Sequence, residues 1–215
     1  EDVLTIGFAR RAAGYKRASL IFRDLERLVK VCNGKVQFVF AGKAHHGDDG
    51  AKHVIQHIIK ISELYDAKLK IIYLENYNID VAKIMTSGVD VWLNNPQRPH
   101  EASGTSGMKA AINGNPNFSV LDGWWCEGHQ EGVTGWAIGA AATECDLSAN
   151  NDDADVEDFY NKLENVVMKT YYSDRNGWVN IMKNSIALNG SYFNTHRVVK
   201  EYSERAYTRS KVLVC

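Results

Sequence analysis

The stretch VQFVFAGKAHHGDDGAKHVIQHIIKISELYDAKLKIIYL, residues 36–74, decides the fold. It begins and ends with short runs rich in β-branched and aromatic residues, residues 36–40 and 69–74, which are typical of buried strands. Between these runs, residues 51–65 repeat apolar side chains at helical spacing. A strand, a helix and a second strand in this order predict a right-handed crossover, and therefore a parallel sheet.

The same alternation continues on both sides of this unit. Further strands are predicted at residues 3–8, 89–93, 118–121 and 135–139. Further helices are predicted at residues 19–31, 80–85 and 106–112. Six strands separated by helices predict an α/β fold with a doubly wound, Rossmann-like parallel sheet.

The pattern changes near residue 150, where the strand signals stop. Three amphipathic helices are predicted instead, at residues 156–168, 177–189 and 197–207. We therefore expect a core over residues 1–150 and a C-terminal helical segment over residues 151–215 that packs on it.

Composition excludes several classes of function. Lys and Arg total 25 and Asp and Glu total 26, so the formal charge of −1 argues against binding nucleic acid through bulk charge. No apolar run approaches the roughly 18 residues of a membrane span, and the first residues do not resemble a signal peptide. Four distant cysteines without a C-x-x-C motif favour a reducing, cytoplasmic environment over a zinc site or disulfides. These are Cys32, Cys126, Cys145 and Cys215.

The first predicted strand is followed by the densest basic cluster of the chain. Residues 9–17 read ARRAAGYKR and contain Arg10, Arg11, Lys16 and Arg17. Ligands of doubly wound sheets bind outside the carboxyl ends of the strands, where Arg and Lys suit a phosphate. No G-x-G-x-x-G or Walker A motif follows, which disfavours dinucleotide or P-loop binding. A solvated surface cluster is the alternative.

A glycine-rich loop precedes the fourth predicted helix. Residues 101–114 read EASGTSGMKAAING, so glycines alternate with hydroxyl side chains just before a helix. Backbone N–H groups at such a position can bind an anion. Lys109 lies about one turn into that helix, where its amine could bond an aldehyde cofactor such as pyridoxal phosphate. The alternative is a glycine-rich turn with a surface lysine.

Together these segments resemble the glycogen and α-glucan phosphorylase family. EASGTSGMK is similar to the pyridoxal-phosphate signature of that family, ARRAAGYKR to its basic stretch, and FVFAGKAHHGDDGAK to the strand and loop that follow. The segments LENY, RPHEASGTSGMKAAINGNPNFSVLDGWW and YFNTHRVVKEY agree in the same order. The resemblance runs from residue 3 to about 205 and is closest in character to the shorter bacterial and archaeal branch.

The resemblance implies the C-terminal lobe of a two-lobed (GT-B) enzyme. Its reaction would be reversible phosphorolysis of α-1,4-glucan by inorganic phosphate, giving α-D-glucose 1-phosphate. The cofactor would be pyridoxal 5'-phosphate, whose phosphate would exchange a proton with the substrate phosphate, because adjacent phosphates raise each other's pKa. We expect the N-terminal lobe of the parent enzyme to be missing from these 215 residues, which would then be inactive alone. An exposed lobe-facing patch could favour a homodimer.

The resemblance also implies roles for individual residues. The cofactor-binding positions would be Lys109, Thr105, Ser106, Gly107, Arg10 and Tyr77, with Lys109 in Schiff-base linkage. The catalytic group would be Lys109, Arg11 and Lys16, of which Arg11 and Lys16 hold the substrate phosphate. The sugar-binding positions would be Glu101, Ser103 and Gly104. Two departures from the longer phosphorylases are Asn78 in place of arginine and Arg10 in place of lysine.

Alternative interpretations remain open from the sequence. A nucleotide-sugar glycosyltransferase of similar architecture would often carry E-x7-E, but Lys109 stands where Glu101 would require the second glutamate. A second alternative is a lobe that binds phosphate or cofactor without catalysis. The pair His45–His46 lacks the spacing of a metal site, and no metal is expected. The Trp124–Trp125 loop suits either a sugar border or a structural role.

Overall fold

All six predicted strands are confirmed in the computed structural model, which describes residues 3–139 and 151–208. The strands are β1 Leu4–Ala9, β2 Val36–Ala41, β3 Lys70–Leu74, β4 Val91–Asn94, β5 Asn117–Val120 and β6 Gly135–Ile138. Every pairing between them is parallel, in the order β3-β2-β1-β4-β5-β6. Cys145, Cys215 and the predicted boundary at residue 150 lie outside the described residues.

The strand order reverses beside β1, which pairs with both β2 and β4. The chain runs outward from β1 to β3, then returns to continue on the other side with β4. At such a switch point the loops after neighbouring strands separate and leave a crevice. The segments that follow β1 and β4 therefore border the place where a ligand is expected.

Helices cover both faces of the sheet, as the fold prediction requires. The helices between strands are α1 Leu25–Cys32, α2 Asp49–Tyr65, α3 Ile79–Gly88, α4 Thr105–Ile112 and α5 Trp125–Gly128. Side chains alternate along each strand, so Phe38 and Phe40 pack with α1 and α2, while Ala41 packs with α3 and α4. This two-sided burial explains why the strands read as nearly continuous apolar runs.

The helix predicted at residues 19–31 is shorter than expected. Residues Leu20–Phe22 form a 3-10 turn, and α1 begins only at Leu25. The carboxylate of Asp24 accepts a hydrogen bond from the Arg27 amide at 2.9 Å, so Asp24 caps a new helix inside the predicted one.

The C-terminal helices pack against the same core. They are α6 Asp152–Lys162, α7 Met168–Ser173, α8 Arg175–Asn184 and α9 Thr195–Tyr202, with π-helical turns at Leu163–Val167, Ser185–Gly190 and Ser203–Tyr207. Buried Tyr160 of α6 donates its hydroxyl to the Ile21 carbonyl at 2.8 Å. In contrast, α9 buries none of its residues. Among the described residues, no helix combines the length and apolar character needed to cross a bilayer.

Asn78 has a structural role at the start of α3. Its side-chain oxygen accepts hydrogen bonds from the amides of Asp80 and Val81, each at 3.0 Å. The Asn78→Ala variant should therefore lower the free energy of unfolding by about 1 kcal/mol, measured by chemical denaturation. Asn78→Asp, which keeps the cap, should stay near the wild-type value. Equal losses in both variants would contradict the capping role.

Candidate functional site

A cleft of about 430 Å³ opens at the carboxyl edge of the sheet, beside the switch point. It is lined by Ala9, Arg10, Arg11, Tyr15, Lys16, Tyr77, Glu101, Ser103, Gly104, Thr105, Ser106 and Lys109. The structure thus brings together all the predicted site residues except Gly107, which is buried behind the loop. These residues come from the segments after β1, β3 and β4.

The chain leaves β1 in a direction set by its neighbour β2. The Arg10 amide donates to the Ala41 carbonyl at 3.1 Å, and the Ala12 amide donates to the Lys43 carbonyl at 3.0 Å. Gly42 makes this close approach possible, because a Cβ there would lie 2.3 Å from the Arg10 carbonyl oxygen. The cations that follow are therefore held against the sheet edge.

A buried ion cluster forms one wall of the cleft. Glu101 Oε2 accepts from Arg10 Nη2 and also from Lys16 Nζ, the latter at 2.5 Å. All three side chains are only 7–8% exposed. Burial lowers the pKa of the Arg10 guanidinium, and the Glu101 charge opposes that shift. The guanidinium of an arginine stays protonated in proteins, so Arg10 carries a positive charge. Arg10 Nη1 also donates to Asn94 Oδ1 at the end of β4.

The N-terminus of α4 forms a second wall. Its N-cap residue is Gly104 at φ +91°, and no side chain caps the helix. The Ser106 hydroxyl is buried and has no hydrogen-bond partner within the described part of the chain. The helix dipole, the uncapped amides and this hydroxyl together favour an anion at this point.

Lys109 lies one turn further along α4, and its exposed side chain borders the cleft. Behind it, the helix packs directly on β5 because Gly107 has no side chain. A Cβ at Gly107 would lie 2.5 Å from Asn117 Oδ1 and 2.9 Å from Trp124 Nε1. Close packing of α4 therefore fixes the position from which the Lys109 amine reaches out.

Two further predicted residues complete the cleft. Arg11 is exposed at its rim, and Tyr77 is half-buried after β3. Burial raises the pKa of the Tyr77 hydroxyl, partly offset by the Arg10 charge, so Tyr77 is a neutral hydrogen-bonding group near pH 7.

Arg17 does not take part in the cleft, although it belongs to the basic cluster in the sequence. Its guanidinium binds Asp152 at 2.6 Å and Asp155 at 2.7 Å, and it donates to the carbonyls of Asn95 and Pro96. Of the four cations in this cluster, Arg17 therefore lies outside the cleft. It connects the basic turn to α6 instead.

The sequence did not indicate two polar residues that hold the site together. Asp122, just after β5, accepts from the Glu101 amide at 2.9 Å through Oδ2. Asn94, at the end of β4, bonds Arg10 and also donates to Ser119 Oγ at 3.2 Å. Their only signal is position, since both stand at the carboxyl end of a strand.

A second cleft of about 520 Å³ adjoins the first on the other side of Lys109. Besides Lys109, its wall includes Met108, Phe193, Arg197 and Tyr202. Helical periodicity predicts that α9 is a helix but does not predict that α9 and the turn before it line this second cleft.

The other residues singled out by sequence have local contacts. The His45 and His46 rings lie 4.0 Å apart, while Asp48 caps α2 by accepting from the Ala51 amide at 2.9 Å. Within residues 3–139 and 151–208, no group of three or more potential ligands could hold a metal ion. Trp124 and Trp125 are both buried, which favours the structural interpretation of their loop.

Comparisons with known proteins agree with the geometry. The family model for carbohydrate phosphorylase matches residues 10–138. A maltodextrin phosphorylase of Thermococcus litoralis is 48% identical over 213 residues, covering 98% of this chain and 25% of that protein. Glycogen phosphorylases of Aquifex aeolicus and Mycobacterium tuberculosis are 45% and 38% identical, over 97% and 96% of this chain.

The chain spans 30% of the Aquifex protein and 25% of the Mycobacterium protein, so it corresponds to less than a third of each relative. The match to the family model extends from the basic turn after β1 to the end of β6 and therefore includes every residue that lines the cleft except Ala9. The chain belongs to the carbohydrate phosphorylase family.

Proposed function

We propose that the chain is the C-terminal, pyridoxal-phosphate-binding lobe of an α-1,4-glucan phosphorylase of GT-B architecture. The whole enzyme would carry out reversible phosphorolysis of glycogen or maltodextrin to α-D-glucose 1-phosphate. The observation that carries this proposal is one cleft that combines the Lys109 amine, the uncapped N-terminus of α4 and the cations Arg10 and Lys16.

The residues of the cleft fit pyridoxal phosphate chemically. A phosphate needs donors and positive charge, which the amides of α4, the unpartnered Ser106 hydroxyl and Arg10 supply. The aldehyde forms a Schiff base with a primary amine, and Lys109 places one about one helical turn from that phosphate site. Tyr77 supplies a half-buried ring with a neutral hydroxyl beside them.

In this proposal the loop and helix hold the cofactor. Thr105, Ser106 and Gly107 bind its phosphate through amides and hydroxyls, and Arg10 adds charge. Lys109 fixes its aldehyde carbon. When bound, the cofactor supplies a second phosphate that acts as a proton donor and acceptor for the substrate phosphate.

The remaining cleft residues handle the substrates. Arg11 and Lys16 bind inorganic phosphate, and their charge offsets repulsion from the cofactor phosphate and stabilises the positive charge at the anomeric carbon. Glu101, Ser103 and Gly104 face the glucose hydroxyls. Lys109 in place of a second glutamate disfavours the nucleotide-sugar glycosyltransferase alternative.

We further propose that the rest of a longer protein supplies the opposite wall of the active site. This accords with the open form of the cleft and with the exposed side chain of Lys109. Residues 1–150 would then be the binding core and residues 151–215 a supporting helical segment. The isolated lobe would bind ligands without turnover, the enzyme would be cytoplasmic, and an exposed lobe-facing patch would allow a homodimer.

A trapping experiment tests the proposal. The chain is incubated with pyridoxal phosphate, reduced with borohydride, digested and mapped by mass spectrometry. We expect one dominant adduct, on Lys109, because the phosphate site next to it raises the local concentration of aldehyde. Lys83 on α3 is an internal control, since its side chain is 71% exposed and lacks such a site. Adducts spread over exposed lysines would contradict the proposal.

A further inference from the structure

Glu101 neutralises two cations of the cleft with a single oxygen. Arg10 and Lys16 both bind Oε2, and the cleft otherwise contains the cations Arg11 and Lys109. Within the described part of the chain, Glu101 is the only acidic residue that lines the cleft. Its carboxylate therefore stands where an anionic ligand of Lys16 would be expected.

The two cations depend on Glu101 to different degrees. Arg10 is also held by Asn94, which in turn is bonded to Ser119, so its position has support from β4 and β5. Lys16 has Glu101 as its only ion-pair partner among the described residues. Its ammonium lies 4.4 Å from the centre of the Tyr15 ring, a weaker contact.

The backbone of Glu101 is anchored, so only its side chain is free to release Lys16. Its amide is bonded to Asp122, and Gly123 packs so closely that a Cβ there would lie 2.7 Å from the Glu101 carbonyl oxygen. A rotation of the carboxylate away from Lys16 would leave the rest of the loop in place.

We propose that Glu101 is a built-in counter-ion that occupies Lys16 until inorganic phosphate displaces it. This inference rests on the proposed function, which makes Lys16 a phosphate ligand. A carboxylate and a phosphate dianion on one ammonium repel each other, so phosphate binding requires Glu101 to leave Lys16. Glu101 thus holds a buried cation in place and makes phosphate binding weaker.

The proposal makes a prediction opposite to that of a purely structural role. If Glu101 only organised the cations, its removal would weaken phosphate binding. If it competes with phosphate, Glu101→Gln should bind inorganic phosphate about tenfold more tightly, because the Lys16 ammonium then has no anion competing for it. Phosphate should also raise the thermal midpoint of the variant more than that of the wild type, since the ligand binds only the folded state.

The experiment is a calorimetric titration of the chain with inorganic phosphate at fixed pH and ionic strength. Glu75→Gln is the matched control, because Glu75 is exposed at the same sheet edge and, among the described residues, is in no ion pair. It removes the same charge and should leave phosphate affinity unchanged. In a Lys16→Ala background, Glu101→Gln should lose most of its effect, because the competed cation is gone.

A second variant protects the test against misfolding. Glu101→Asp keeps the charge but withdraws it from Lys16 by one methylene, so we expect phosphate binding to tighten by about threefold. The inference is overturned if the folded variants bind inorganic phosphate with unchanged or weaker affinity. It is also overturned if none of them binds phosphate measurably. Trapping of cofactor on Lys109 does not depend on this result, so the two proposals fail separately.

Discussion

The Lys109→Ala variant should lose covalent retention of pyridoxal phosphate altogether. The cofactor's aldehyde forms with a primary amine the Schiff base that borohydride makes permanent, and without Lys109 the uncapped amides of α4 would hold its phosphate only reversibly. After borohydride reduction and gel filtration, the wild-type chain should keep the cofactor and the variant should show background levels. Absorbance and intact mass measure both outcomes directly.

Two control variants separate covalent bonding from charge. Lys109→Arg keeps a positive charge beside the phosphate site but lacks a primary amine, so it should behave like the alanine variant. Lys83→Ala removes an exposed lysine from the neighbouring helix α3 and should retain cofactor like the wild type. Full retention by Lys109→Ala would mean that another amine carries the cofactor and would refute the assignment.

The strands, and the carboxyl edge of the sheet at which the cleft lies, could be predicted because both follow from local sequence patterns. Periodicity located β2, α2 and β3 within a few residues, and the rule for doubly wound sheets brought Lys16 and Lys109 to one edge. The start of α1 was missed because the Asp24 cap competes with helical periodicity. Strand order depends on pairing between distant segments, which no local pattern encodes.

The partners of the cations could not be predicted, because they are distant in sequence. Lys16 and its partner Glu101 are 85 positions apart, and Arg17 and its partner Asp155 are 138 positions apart. Arg17 and Lys16 are adjacent cations in the sequence. Its left-handed backbone at φ +46° turns the chain there, and its side chain binds α6 instead of the cleft. Nothing local distinguishes a phosphate ligand from a structural cation.

The buried ion pair between Arg17 and Asp155 leads to a prediction of a large effect on the free energy of unfolding when Asp155 is replaced. This carboxylate is 2% exposed, accepts from Arg17 Nη2 at 2.7 Å and lies 3.8 Å from Arg98 Nη2. It joins the basic turn after β1 and the loop after β4 to α6. Removing it leaves the buried Arg17 guanidinium without its buried carboxylate partner.

Asp155→Ala should therefore lower the free energy of unfolding by about 3–5 kcal/mol, measured by urea denaturation. Asp152→Ala is the matched control, because Asp152 binds the same guanidinium at 2.6 Å but is 46% exposed. Water can replace Asp152, so that variant should lose only about 0–1 kcal/mol. Asp155→Asn, which keeps a hydrogen-bond acceptor of the same shape, should fall between the two. Small losses at both aspartates would mean that Arg17 is held by its carbonyl partners and not by the buried charge.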